Sequence, residues 1–149
     1  MNRVCPTLFF TLILGVASAR ADDADTLKGT WKFTTINASG VPVAAEIVKT
    51  LELKLTMDEL ELSGSVLKET IKSKVTLEEK SKSFDFEPVS GPEKGKVSKG
   101  LYELMTVKAD KADKITLRIY FSQPGGERPK KIEETVAEGH FLWFLEKSK

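Results

Sequence analysis

Beyond residue 29 the chain alternates apolar and polar positions with a period of two, broken at short intervals by Gly, Pro, Asp and Ser. The clearest run sets Leu51, Leu53, Leu55 and Met57 against Glu52, Lys54 and Thr56, the pattern of a strand with one face in a core and one in water. Asp58-Glu59 turns that strand, and Leu60 and Leu62 carry the alternation on to Ser63-Gly64-Ser65. Ile115, Leu117, Ile119 and Phe121 alternate in the same way with Thr116, Arg118 and Tyr120. A first strand over residues 29–36 places Trp31, Phe33 and Thr35 on one side and Thr30, Lys32 and Thr34 on the other. Phe84 and Phe86 mark a short strand, and longer ones follow over 97–108 and, more weakly, 130–136. The last strand, 140–146, is apolar on both faces.

Two stretches admit helix. Pro42 followed by residues 43–49 suits one or two helical turns after the first strand, since proline is tolerated at the first helical position. In residues 66–77, Leu67, Ile71 and Val75 fall at helical spacing, while Ile71, Val75 and Leu77 suit a strand; the β-branched Thr70, Ile71, Val75 and Thr76 favour the strand.

The sum is an all-β chain, an antiparallel up-and-down meander of eight or nine strands joined by short turns. So long a meander leaves unpaired edges unless it curls and closes, so a barrel is expected. With nine strands, the connections 37–47, 63–65, 88–96 and 122–129 gather at one end, and 58–59, 78–81, 109–113 and 137–139 at the other. The Gly/Pro-rich connections thus form one rim, which is where a barrel that takes up a ligand has its mouth.

The ends of the chain refine this picture. Arg3, the apolar run of residues 8–16 and the small residues Ala17-Ser18-Ala19 and Ala19-Arg20-Ala21 read as an export signal, with cleavage expected after Ala21. A retained N-terminal anchor is the competing reading. Cleavage leaves residues 22–149 as one domain, long enough to bury about two-thirds of its unfolded surface. It also removes Cys5, the one cysteine, and with it any disulfide or thiolate chemistry. The expected location is secreted or periplasmic, with no membrane span after cleavage. Arg3 and Arg20 lie in the signal, so the 23 basic residues fall to 21 against 22 acidic ones, a net charge of about −1. Interspersed signs at near-zero charge provide no footprint for nucleic acid.

Reactive constellations are scarce. His140 is the one histidine, so no multi-histidine metal site exists, and no Gly-x-Ser-x-Gly elbow accompanies it. Residues 91–96 superficially resemble a phosphate loop, but Val97 stands where Ser or Thr must reach magnesium. Asp110 and Asp113 lack the alternating oxygen ligands and terminal Glu of a calcium loop. The glutamates lie on charged faces, with none in an apolar run that would raise its pKa for acid catalysis. Neither a catalytic residue, a metal site nor a cofactor is expected, and the chain reads as non-enzymatic. The candidate ligand-binding residues are Trp31, Phe33, Tyr102 and Arg128. For Trp31 the competing reading is a core anchor whose indole N–H finds a partner, and for Arg128 a hairpin loop whose glycines supply positive φ.

Gly29-Thr30-Trp31 at the head of a β-meander resembles the Gly-x-Trp signature of the lipocalin and calycin group. That resemblance implies a barrel closed at its narrow end by the tryptophan and a small apolar ligand. The chain departs from the group in having no Thr-Asp-Tyr motif and no arginine in its last strand to stack on Trp31. Arg118 lies on the strand face opposite Ile115, Leu117 and Ile119. Residues 27–31, 91–96, 100–104 and 124–129 together are similar to a family of exported domains expanded in planctomycete bacteria, which has no assigned activity. In a bacterial chain Asn37-Ala38-Ser39, which has the form of a glycosylation acceptor, carries no sugar. The function expected is an exported lipocalin-like domain binding a small apolar or amphipathic ligand. The alternative is an envelope structural or protein-interaction module, partnered by another envelope protein, with a packed barrel.

Overall fold

The computed structural model describes residues 22–149; the expected export signal, with Cys5, lies outside the described residues. In chain order the elements are α1 (Asp23–Leu27), β1 (Gly29–Ala38), β2 (Val41–Pro42), α2 (Ala45–Val48), β3 (Leu51–Leu55), β4 (Glu59–Gly64), β5 (Ile71–Glu78), β6 (Ser83–Pro88), β7 (Ser98–Val107), β8 (Lys114–Ser122) and β9 (His140–Lys147). Strands β3 to β9 pair with their sequence neighbours, β3 with β1, and β9 returns to β1, all antiparallel. The two-residue β2 pairs only with the end of β1, so the other eight strands form a closed ring. The short helix after the first strand is α2, although it begins after Ala44 because Pro42 belongs to β2. Residues 71–78 are strand, as the β-branched content favours, and 65–70 form the turn before them.

Residues 130–136 are not a strand, and 123–139 is one long connection from β8 to β9. The closure itself requires this. In an up-and-down meander successive strands reverse direction, so first and last strands meet antiparallel only if the number in the ring is even. Eight strands satisfy that condition and nine would not. The apolar residues that suggest a strand there, Ile132 and Val136, instead pack on the outside of the barrel against Tyr120, Leu142 and Phe144. This cover explains the two apolar faces of β9: Phe141, Trp143 and Leu145 join the interior, while Leu142 and Phe144 lie under the connection.

Loop parity shifts accordingly. One end of the barrel gathers 39–50, 65–70, 89–97 and the whole of 123–139, so residues 137–139 belong with the long loops. The other end carries the tight turns 56–58, 79–82 and 108–113 together with α1.

Two side-chain assignments change for local reasons. A bulge between Phe33 and Thr35 shifts β1 against β9, which turns Thr35 outward and buries Ile36 in the core. Met57 lies past the end of β3 and is 54% exposed instead of continuing the buried row of Leu53 and Leu55. Outside the barrel, Lys32 faces Glu52, Lys54 faces Glu61, Glu61 faces Lys72 and Glu59 faces Lys74 across neighbouring strands. Lys72 and Glu61 form an ion pair of 2.8 Å whose hydrogen bond lowers the Glu61 pKa and raises that of Lys72. Such solvated pairs add little stability; register is fixed more firmly by the alternation itself, because a one-residue slip would turn the buried leucines outward and these charges into the core. At Gly100 the wall is too close for a side chain: a Cβ would lie 2.7 Å from that of Phe121.

Candidate ligand pocket

The end with the tight turns is plugged. Helix α1 lies across it with Leu27 buried, and the Leu27 carbonyl accepts a hydrogen bond of 2.8 Å from Nε1 of the fully buried Trp31. Lys147, the last residue of β9, holds its ammonium 5.5 Å from the centre of the Trp31 ring and donates to the Thr26 carbonyl. A lysine of the last strand thus provides the cation over the tryptophan that no arginine there supplies. Glu79 accepts from the Ala24 amide at 2.8 Å, and Asp23 accepts from the Tyr102 hydroxyl at 2.8 Å and from Lys82. A void between α1, β3, β5 and β6 at this end measures about 10 Å³, no more than a water molecule needs.

Burial, then the hydrogen bond and negative charge of Asp23, raise the Tyr102 pKa well above the ordinary tyrosine value. The folded state therefore prefers the protonated phenol. Its contribution to stability is complete below about pH 10, the unfolded value, and is lost as pH rises beyond it. Thermal melts between pH 8 and pH 11 are expected to fall more steeply for the native chain than for Tyr102→Phe. Parallel curves would refute the linkage.

The long-loop end is open. A pocket of about 670 Å³ enters the barrel there. Its walls are Ile36 and Ala38 of β1, Leu60 and Leu62 of β4, Ile71 of β5 and Phe86 of β6, with an aromatic side made by Phe121, Phe141 and Trp143. The rings form one packed cluster: Trp143 meets Phe121 edge-on at 4.7 Å and stacks on Phe86 at 5.9 Å, and Phe121 stacks on Phe141 at 5.1 Å. Val43, Leu67, Pro92 and Pro124 from the long connections complete the mouth, and its charges, Lys68, Glu69 and Glu93, all come from loops. The size and the apolar lining suit a small organic molecule. A cleft of about 550 Å³ beside the β7–β8 turn is lined instead by Asp110, Lys111, Asp113, Lys114 and the chain end.

None of the four residues singled out in the sequence lines this pocket. Trp31 and Tyr102 belong to the plug at the opposite end. Phe33 backs the pocket wall, its ring edge-on to Trp143 at 5.3 Å. Arg128 faces outward, its guanidinium donating to both oxygens of Asp85 at 2.6 and 2.7 Å and to the Gly100 carbonyl at 2.8 Å. Arg118, also outside, pairs with Glu103 and lies over Phe144. His140 stacks on Tyr120 at 5.4 Å on the covered outer face. The lining residues that sequence reasoning passed over include Ser73, Ser98 and Trp143. The serines leave a signal, each being a small polar residue at an inward position of its strand. Among the described residues no group of three or more His, Cys, Asp or Glu could hold a metal ion, and no helix is long and apolar enough to cross a membrane. Compared with protein families, curated proteins and solved structures, the chain gives no match.

Proposed function

We propose that this protein is an exported, non-enzymatic, lipocalin-like carrier that takes a small apolar or amphipathic molecule into the barrel through the long-loop end. The observation that carries this reading is the apolar pocket of about 670 Å³, open at one end of a ring whose other end is plugged. A barrel serving only as an envelope structural or interaction module needs no such space, and its interior voids would stay near the size of a water molecule. The segregation of charge to the mouth supports an apolar occupant, because a buried charge without a partner is costly.

Native mass spectrometry of the protein purified from its own host is expected to show a retained small molecule. As an independent check, ethylpyrene should bind the ligand-free protein. Ala38→Phe, which adds a ring to the pocket wall, should weaken that binding at least about tenfold while leaving the melting temperature within a few degrees. Absence of both a retained mass and ethylpyrene binding would remove the carrier reading.

A further inference from the structure

Two buried polar side chains stand out in the wall of this otherwise apolar pocket, just inside its mouth. Ser73 of β5 and Ser98 of β7 line it, and each residue is only 2% exposed. Neither hydroxyl has a hydrogen-bond partner among the described residues, yet neither is sealed from the pocket space. They occupy inward positions of their strands: Ser73 lies between Ile71 and Val75 on the inner face of β5, and Ser98 opens β7 with Gly100 as its next inward neighbour. Ser73 lies opposite Leu60 and Pro88, and Ser98 opposite Phe86, so β6 separates them. Neighbouring strands are about 4.8 Å apart, which makes the serines two separate hydrogen-bonding points rather than one pair.

A hydroxyl sequestered without a partner is unfavourable, and alanine in either place would serve an apolar occupant better. A carboxylate or ammonium held against the strand wall beside these serines would find no counter-charge there, since the charges of the pocket, Lys68, Glu69 and Glu93, are all on the loops. Resting on the carrier reading above, we propose that Ser73 and Ser98 select the ligand: an uncharged molecule with an apolar, ring-bearing body and a hydroxyl or carbonyl oxygen on its buried part. Each serine hydroxyl can donate to such an oxygen or accept from its proton. The aromatic side of Phe121, Phe141 and Trp143 receives the body.

The test uses pyrenemethanol and ethylpyrene, which differ only by a hydroxyl in place of a methyl group. Without a hydrogen bond in the pocket, the native protein should favour ethylpyrene by tenfold or more, the cost of drying the alcohol. The proposal expects the alcohol to bind at least as tightly as ethylpyrene. It further expects the double variant Ser73→Ala with Ser98→Ala to weaken the alcohol about fivefold while ethylpyrene stays within about twofold. The single variants then show which serine the alcohol uses. If both probes bind but the native protein favours ethylpyrene strongly, the selection role is overturned and the carrier reading survives; this arm needs no variant to fold. Equal loss of both probes in the double variant, or no loss of the alcohol, overturns it too. If ethylpyrene binds and the alcohol does not, the selection role alone is overturned; if neither probe binds and no mass is retained, the carrier reading falls along with it.

Discussion

Replacing Trp31 with alanine is expected to cost about 3–5 kcal/mol of unfolding free energy, the range for deleting a fully buried large aromatic side chain. For a domain of this size that is a fall in melting temperature of roughly 10–20 °C. Three contributions meet at this ring. The indole is completely buried where β1 pairs with both β3 and β9, so its loss leaves a cavity at the seam of the barrel. Its N–H holds the Leu27 carbonyl, which docks α1 over the end of the ring. Its face carries the ammonium of Lys147, which also binds the Thr26 carbonyl. Trp31→Phe keeps most of the packing and loses the N–H, so about 1–2 kcal/mol is expected from it. Urea denaturation of the three proteins checks the order. Because Trp31 lies outside the pocket, ethylpyrene affinity in Trp31→Phe should stay within about twofold of the native value. A large loss of affinity at unchanged stability would instead make this ring part of the binding site. A cost below about 1 kcal/mol for the alanine variant would show that the plug does not depend on it.

The sequence carries the wall of the barrel more plainly than its interior. Strand β3 is legible because one face is wet, and β8 because Thr116 and Arg118 keep its outer face polar short of the covered Tyr120, so the period of two survives in Leu51, Leu53 and Leu55 and in Ile115, Leu117 and Ile119. Ile132 and Val136 mislead because an apolar residue says only that it will be covered. Here it is covered from outside, by Tyr120 and Leu142. The bulge in β1 is hidden for a related reason: Thr34, Thr35 and Ile36 are all β-branched, and only the register against β9 decides which of them faces in. The open rim follows from the Gly/Pro content of the long connections. The pocket does not, because its lining comes from strands far apart in the chain that share a space only once the ring has closed. Ser73 and Ser98 look like small flaws in two separate alternations until β5 and β7 are set on either side of β6. Arg128 shows its charge in the sequence but not its partner, since Asp85 lies 43 residues away.

That partner makes Arg128 the natural place to loosen the mouth. Its guanidinium grips both oxygens of Asp85 on β6 and the Gly100 carbonyl on β7, and so ties the 123–139 connection across two strands it does not pair with. The same connection supplies Pro124 to the pocket wall and Ile132 and Val136 to the cover over β8 and β9. Arg128→Ala removes three charge-assisted hydrogen bonds and leaves Asp85 with only the Gly100 amide, at 3.3 Å. A fully buried pair broken on one side would cost about 3–5 kcal/mol, but here the arginine side chain is 35% exposed and water takes up part of the loss. We expect about 1–3 kcal/mol. Arg128→Lys should recover less than half of it, because an ammonium keeps the charge without the planar fork. Hydrogen exchange should rise along 123–139, where Gly125 N–H to the Val97 carbonyl, Gln123 N–H to the Gly139 carbonyl and Gly139 N–H to the Ser39 hydroxyl are the remaining ties. Ethylpyrene should bind several-fold more weakly as the Pro124 wall loosens. A double-mutant cycle with Asp85→Ala decides the cause: a coupling of about 1–2 kcal/mol places the tether in this pair, whereas additive losses would mean that the connection is held by its apolar underside alone.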